Sequence, residues 1–123
     1  MTPMPDILHL AGRAARHAAA RQTVIAGNVA NADTPGYRAR TLATFAAAAD
    51  ALPLRRTHAA HLPASARDPR VLPDRAAPAD PNGNTVSLER QILAGVDAAR
   101  AHDRAVAVYG ATLDVLRAAL GKR

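Results

Sequence analysis

Two histidines three residues apart are the most direct candidates for chemistry in this chain. His58 and His61 can present both imidazoles on one side of a turn, an arrangement that suits zinc. His9 and His17 lie apart from them, in the first helical pattern. No nearby carboxylate or third ligand accompanies the pair, and the sequence has no His-Glu-x-x-His pattern. We interpret them as hydrogen-bonding loop histidines and expect no metal or cofactor.

The sequence signals for other catalytic arrangements are equally weak. His102 falls on the predicted core face of the last helical pattern, where a packing role is more common than catalysis. Asp97 and Asp103 lie a turn and a half apart and suit a solvated helix face. The sequence offers no Gly-rich phosphate loop and no convincing nucleophile with a base and an orienting group. We therefore expect no enzyme.

The segment from residue 28 to residue 37 combines a helix end with a tight turn. Asn28 and Asn31 stack one helical turn apart, and Asn side chains compete for backbone groups, which favours ending the helix there. Thr34 precedes a proline and is pushed out of the helical region, while Pro35–Gly36 suits a type II turn with Gly36 at positive φ. We expect both asparagines to bind backbone groups across the turn, and the turn to direct Tyr37 at the partner helix.

Helical periodicity predicts one long helix near each end of the chain. The N-terminal helix is predicted over 6–31, and its stripe comprises Leu8, Ala11, Ala15, Ala18, Gln22, Ile25 and Val29. The C-terminal helix is predicted over 87–120, with Ser87 as N-cap and Gly121 as C-cap. Its first heptad position comprises Ile92, Ala99, Val106, Leu113 and Leu120, and its second comprises Leu88, Gly95, His102, Tyr109 and Leu116.

Neither helix can bury its apolar stripe alone, so the two should pair as a coiled-coil-like hairpin in an all-α fold. The predicted packing set is Leu8, Ile25, Val29, Leu88, Ile92, Val106, Leu113, Leu116 and Leu120. Small residues on both stripes permit close approach of two helices, either within one chain or between subunits. The sequence leaves both alternatives open.

The middle of the chain is predicted to be irregular. Residues 32–52 should hold the turn and a short helix around Phe45. The segment 53–83 follows, and its six prolines between residues 53 and 81 disfavour both a regular helix and a central strand. We expect a flexible Pro-rich segment within a single domain, 1–123.

Composition indicates a protein whose core is completed by neighbours. Of its 123 residues 32 are alanine and only three are aromatic, so the 49% hydrophobic content buries little area per residue. At ~25 cal/mol per Å² of apolar surface, such a chain gains little from folding alone. The sequence has no cysteine, no stretch approaching the ~20 apolar residues of a membrane span, and no N-terminal pattern typical of a cleaved secretory signal.

The alternative function is that of a basic helical nucleic-acid-binding protein or another coiled-coil adaptor. The net charge of +6 permits nucleic-acid binding. However, the 15 arginines are spread along the chain without a dense cluster. Aromatic residues for stacking are almost lacking, and the second helical pattern is too long for a short recognition helix. We therefore expect no nucleic acid among its partners.

The string from Asn28 to Tyr37 resembles the N-terminal signature of flagellar basal-body rod proteins, whose family shares Asn-x-x-Asn followed by Thr-Pro-Gly-Tyr. The stretch 84–89, Asn-Thr-Val-Ser-Leu-Glu, resembles the start of the family's C-terminal helix. The short length and the Thr57-His58-x-x-His61 stretch resemble the proximal rod members. Matching residues of the assembly motif are Asn28, Asn31, Asp33, Thr34, Pro35, Gly36 and Tyr37.

This resemblance implies a structural subunit that assembles helically, transmits torque and lines an export channel. The implied partners are further copies of itself, other rod subunits, the protein that joins the rod to the export gate, the export gate and the inner-membrane ring. The implied location is the periplasmic rod of the basal body. The implied route is the flagellar type III apparatus, which uses an uncleaved N-terminal region.

Overall fold

A computed structural model of the chain describes residues 4–49 and 69–121. Two long helices account for most of this part of the chain, and a two-stranded sheet and a short helix lie near one end of them. The elements in chain order are α1 (Met4–Ala30), β1 (Arg40–Leu42), α2 (Phe45–Ala49), β2 (Val71–Pro73) and α3 (Leu88–Ala119).

Both predicted long helices are present, with ends within one or two residues of the predicted ones. Ser87 is the N-cap of α3, as expected, and its hydroxyl accepts a hydrogen bond from the Arg90 N–H at 3.5 Å. At the other end, Gly121 adopts φ +66°, which suits a residue just past a helix C-terminus. The mostly helical fold class is therefore confirmed, while the small sheet was not predicted.

The helices α1 and α3 pack against each other in opposite directions. Near the C-terminal end of α1, Asn28 is hydrogen-bonded to Gln91 and Ile25 lies beside Gly95. Further back along α1, Ala18 borders the same groove as Ala105. The buried residues of this interface are small: Ala11, Ala18, Ala98, Ala105 and Thr112. Small side chains let the two backbones approach closely, at the cost of burying little apolar area.

The residues of α3 that face α1 differ from the two heptad positions that were predicted to face it. Ala98, Ala105 and Thr112 recur at seven-residue spacing, one position before the predicted series that begins at Ile92. Ile92 itself is 63% exposed. Alanine patterns are ambiguous by one register position, and a close helix pair selects the face with the smallest side chains. Large side chains are displaced to other sides of α3, where Leu88, Val106, Tyr109 and Leu120 are exposed.

On α1 several residues of the predicted stripe are buried or half-buried, as expected. Ala11 and Ala18 are buried, and Leu8 and Ile25 are half-buried. Val29 is exposed, because the last turn of α1 directs Asn28 inward instead.

One strand of a short antiparallel sheet, β2, lies inside the segment that was predicted to be flexible. It pairs with β1 in the register Arg40–Pro73, Thr41–Leu72 and Leu42–Val71. Residues 71–73 are therefore a paired strand and not irregular, residues 50–68 lie outside the described part, and flexibility of 53–83 in solution stays a prediction. The prolines do not prevent pairing, because Pro73 occupies a position of the ladder that needs no N–H, as shown below.

Candidate functional site

The largest fully buried side chains in the described residues are two asparagines, Asn28 and Asn84. They lie at the end of the helix pair where α1 stops and α3 begins. Each satisfies main-chain groups of a distant segment. We call residues 28–40 together with 82–86 the asparagine joint.

Asn28 lies in the last turn of α1 and is 1% exposed. Its amide nitrogen donates to the Arg40 carbonyl at 2.7 Å and to Gln91 Oε1 on α3 at 3.0 Å. Its amide oxygen accepts from the Arg40 N–H at 2.9 Å and from the Tyr37 hydroxyl at 3.4 Å. One side chain thus connects α1, β1, α3 and the turn between α1 and β1.

The sheet register explains why the main chain of Arg40 is available to Asn28. The Asp74 N–H donates to the Ala39 carbonyl, and the Ala43 N–H donates to the Arg70 carbonyl, each at 2.9 Å. In an antiparallel ladder hydrogen-bonded and non-hydrogen-bonded pairs alternate, and the residues of a non-hydrogen-bonded pair direct their N–H and C=O groups away from the partner strand. Arg40 and its partner Pro73 are in that position, so Pro73 needs no N–H and Arg40 meets Asn28 on its other side.

The turn that follows α1 has the predicted form. The Tyr37 N–H donates to the Thr34 carbonyl at 3.2 Å, and Pro35 and Gly36 are the two central residues. Gly36 has φ +71°, which confirms the predicted positive φ. The Tyr37 hydroxyl, however, reaches Asn28 on α1, whereas we expected its ring to be directed at α3.

Asn84, which lies shortly before α3 in the sequence, holds this turn in place with its side chain. It is 0% exposed, and its amide nitrogen donates to the carbonyls of Asn31, Ala32 and Thr34 at 3.0, 2.7 and 2.9 Å. Its amide oxygen accepts from the Val86 N–H at 2.7 Å. Carbonyls just past a helix lack intrahelical partners. Asn84 supplies them from a segment about fifty residues away in sequence.

Main-chain pairing joins the same two segments. The Gly36 N–H donates to the Asn82 carbonyl and the Thr85 N–H to the Tyr37 carbonyl, both at 3.0 Å. The buried hydroxyl of Thr85 accepts from the Ala39 N–H at 2.8 Å. The residues that lead into α3 are therefore fixed against the turn that leaves α1.

Two glycines permit this close approach. Gly83 has φ +80°, and a Cβ on it would lie 3.4 Å from the Gly36 Cα. Its backbone conformation therefore favours glycine, while the added Cβ would make an ordinary van der Waals contact.

The other residues of the predicted assembly motif are peripheral to this network. The Asn31 amide nitrogen donates to the Gly27 carbonyl at 2.8 Å, one turn back in α1, and its amide oxygen accepts from the Thr34 hydroxyl at 3.3 Å. Asp33, Thr34 and Pro35 are exposed. The structure therefore brings Asn28, Gly36 and Tyr37 together with Asn31 nearby, and leaves the tip of the turn in solvent.

Sequence reasoning missed Asn84, Thr85 and Gln91 as members of the site. The stretch from Asn84 was noticed as the start of a helix, and the Asn-Thr pair was the available signal, because such residues bind backbone groups when they are not in helices. Gln91 carried no distinct signal, since glutamine is common on solvated helix faces.

His58 and His61, which we interpreted as hydrogen-bonding loop histidines and not as metal ligands, lie outside the described residues. In the described ranges no group of three or more potential metal ligands occurs. His102 is half-exposed on α3, with Nδ1 3.8 Å from an Asp103 carboxylate oxygen. The side chains that connect the segments of the asparagine joint are the amides of Asn28 and Asn84 and the hydroxyls of Tyr37 and Thr85, which suit the positioning of main-chain groups.

The fold and the site thus define a helical protein in which two long helices are joined at one end by the asparagine joint. Residues 8–38, which contain α1 from Leu8 onward and the whole turn, match the family of flagella basal body rod proteins. The chain is also similar to the flagellar basal body rod protein FlgB of Escherichia coli K12, with 37% identity over 90 residues. FlgB of Shigella flexneri gives the same identity over the same length.

The alignment covers 59% of this chain and 62% of either FlgB protein, so the chain spans about three fifths of the length of these curated relatives. In both comparisons part of the chain is similar to flagellar basal-body rod proteins, FlgB among them. The resemblance inferred from the Asn28–Tyr37 string is thereby confirmed. In the described residues neither long helix is apolar enough to cross a membrane.

Proposed function

We propose that this protein is a structural subunit of the bacterial flagellar basal-body rod, in its proximal part. In this role it assembles helically, transmits torque, lines the export channel and supports flagellum-dependent motility. The observation that carries the proposal is the similarity of α1 and its turn to the rod family, together with the similarity to FlgB.

The asparagine joint supports a mechanical role. Asn28 and Asn84 satisfy main-chain groups of three segments, at Arg40, in the turn after α1 and at Val86. Buried polar networks that are fully satisfied rigidify a structure. A subunit that transmits force needs a fixed relation between its two helices, and this network provides it at the end where the chain reverses.

The exposed aliphatic side chains of α3 support packing between subunits. Most of the predicted packing set on this helix does not face α1: Leu88, Ile92, Val106 and Leu120 are exposed, and Leu113 and Leu116 are half-buried. Since α1 leaves these residues open, we assign the coiled-coil-like packing predicted for them to contacts with neighbouring chains. An aliphatic face suits protein contacts better than contacts with phosphate, which favours a rod subunit over a nucleic-acid-binding protein.

The proposed partners follow from this role. They are further copies of the chain, other rod subunits, the protein joining the rod to the export gate, the export gate itself and the inner-membrane ring. The proposed location is the periplasmic rod of the basal body, reached through the flagellar type III apparatus without cleavage of a signal peptide.

Deletion of the gene in its flagellated host tests the proposal. The deletion strain should not swim and should lack external filaments, and a plasmid copy of the gene should restore both. Basal bodies isolated from the complemented strain should contain the protein. A deletion strain that swims normally would refute the rod assignment, and salt-sensitive retention of the purified chain on DNA would favour the alternative.

A further inference from the structure

An open apolar groove runs along the helix pair at a distance from the asparagine joint. It has a volume of about 400 Å³ and lies between α1 and α3, with Phe45 of α2 at its side. Leu10 on α1 and Val108 on α3 line it and are exposed. Both side chains therefore meet solvent across the groove.

The Phe45 side of the groove is held in place. The His17 Nε2–H donates to the Ala43 carbonyl at 2.7 Å, and the His17 ring meets Phe45 edge-on with 5.5 Å between the ring centroids. This contact fixes the residues leading into α2 against α1, so the groove is formed before any partner binds.

Two cations border the groove. Arg21 and Arg104 are among its lining residues, and neither forms an ion pair or hydrogen bond within residues 4–49 and 69–121. An occupant that supplies a carboxylate beside aliphatic side chains would match both the apolar lining and these guanidinium groups.

The chain itself carries a surface of that composition. Leu88, Ile92, Val96 and Val106 are exposed along one side of α3, and we call them the α3 stripe. Two exposed acids, Glu89 and Asp103, lie on or beside the stripe. A carboxylate oxygen of Asp103 lies 3.8 Å from His102 Nδ1.

The groove and the α3 stripe lie on opposite sides of the same helix. At about 100° per residue, the stripe and the groove-lining residues of α3 point roughly 170° apart. The stripe is long enough to fill the groove, since it spans about 27 Å from Leu88 to Val106 and the groove spans about 21 Å from Ile7 to Arg21.

We infer that the α3 stripe of one copy of this chain docks in the groove of a second copy, with acidic side chains of the stripe facing Arg21 and Arg104. This names the contact for the self-association in the proposed function and rests on it. Because donor and acceptor surfaces differ and lie on opposite sides, the contact is head-to-tail and leaves both surfaces open at the ends of a growing assembly.

Disulfide trapping tests the contact directly, since the sequence has no cysteine of its own. Purified full-length Leu10→Cys, in the groove, and Val96→Cys, on the stripe, are mixed at rising concentration and oxidised, with one variant carrying a size tag. Mixed dimers should exceed dimers of either single variant. Ala111→Cys, exposed on another side of α3, replaces Val96→Cys as the control and should give few mixed dimers.

A charge exchange tests the ionic part. Arg21→Glu in the groove partner should lower the yield of mixed dimers about fivefold, and Asp103→Arg in the stripe partner should restore it. Arg16→Glu, which changes charge on α1 away from the groove, should leave the yield almost unchanged.

Three results would overturn the inference: a predominance of same-variant dimers, no crosslink at any concentration, or a yield insensitive to Arg21→Glu. Motility separates this from the proposed function. A deletion strain that swims refutes the rod assignment whatever the crosslinks show. A non-swimming deletion strain, restored to swimming by the Arg21→Glu chain, keeps the rod assignment and rejects the groove.

Discussion

The side chain of Asn28 binds the main chain of Arg40 as a neighbouring β-strand would, accepting from its N–H and donating to its carbonyl. A helix residue thereby occupies the side of β1 that β2 leaves open at this position. The relation depends on the strand register, on the end of α1 and on the turn between them, so it reports on all three.

Replacing Asn28 with aspartate should destabilise the fold strongly. The shape is kept, but the donations to Arg40 and Gln91 are lost and a buried carboxylate faces a carbonyl oxygen. We expect a loss of about 2–3 kcal/mol in the free energy of unfolding, measured by urea titration and helix circular dichroism. Asn82→Asp is the control, because Asn82 is exposed and its side chain acts as an acceptor, so its stability should change little.

Replacing Asn84 with alanine should release the turn after α1 while both helices persist. The Ala32 carbonyl and the Val86 N–H lose their partner, and the carbonyls of Asn31 and Thr34 keep only their main-chain donors within the turn. Amide hydrogen exchange should accelerate most at Gly36 and Thr85, and least in the middle of α3. Uniform acceleration along the whole chain would contradict a local role for Asn84.

Positive φ at two glycines of the joint predicts similar costs for the same substitution. Gly36 and Gly83 both have positive φ, so alanine strains the backbone at either position by about 1 kcal/mol. At Gly36 nothing lies within 4 Å of the added Cβ, and at Gly83 the Cβ makes only an ordinary contact with the Gly36 Cα at 3.4 Å. Gly83→Ala and Gly36→Ala should therefore lower the melting temperature by similar amounts, and a much larger loss at Gly83 would show that space as well as φ requires glycine there.

The close helix pair predicts intolerance of large side chains on the inner face of α3. Ala98 is 0% exposed, so Ala98→Leu should force the helices apart and cost about 1–3 kcal/mol. Ala107→Leu on the exposed side of the same helix is the matched control and should be nearly neutral. Equal effects would place α1 against a different face.

The double substitution Pro35→Ala with Gly36→Ala should abolish swimming without lowering expression, because the turn can no longer direct β1 toward Asn28. Pro78→Ala, at an exposed position outside the joint, should swim normally. Soft-agar expansion and immunoblotting measure the two effects. Normal swimming of the double variant would refute a structural role for the turn.

Local signals in the sequence predicted the two helices, the Ser87 cap and the Gly36 turn, because each depends on neighbouring residues. The face of α3 that meets α1 could not be fixed, since alanines occur on several sides and only the distance between the helices selects one. The sheet could not be predicted for a different reason. Its prolines argue against strand pairing, and only the register of the two strands shows that Pro73 lies at a position where no N–H donor is needed.

Only part of the asparagine joint could be predicted from the sequence. Asn28 and Asn31 were identified as backbone-binding residues from their place at a helix end, but their partners are up to 63 residues away. Asn84 could not be paired with the turn from sequence alone, because nothing local to residues 84–89 indicates which carbonyls it will meet.

The three Asn84 bonds to the turn also set an order of events in folding. The carbonyl of Ala32 accepts from a side chain 52 residues further along the chain, and closing a loop of that length is slow compared with forming a helix turn. A chain that emerges N-terminus first therefore cannot complete its joint until more than two thirds of it has emerged. On the proposed export route, this order would keep the joint open during passage and complete it only after the residues around Asn84 have arrived.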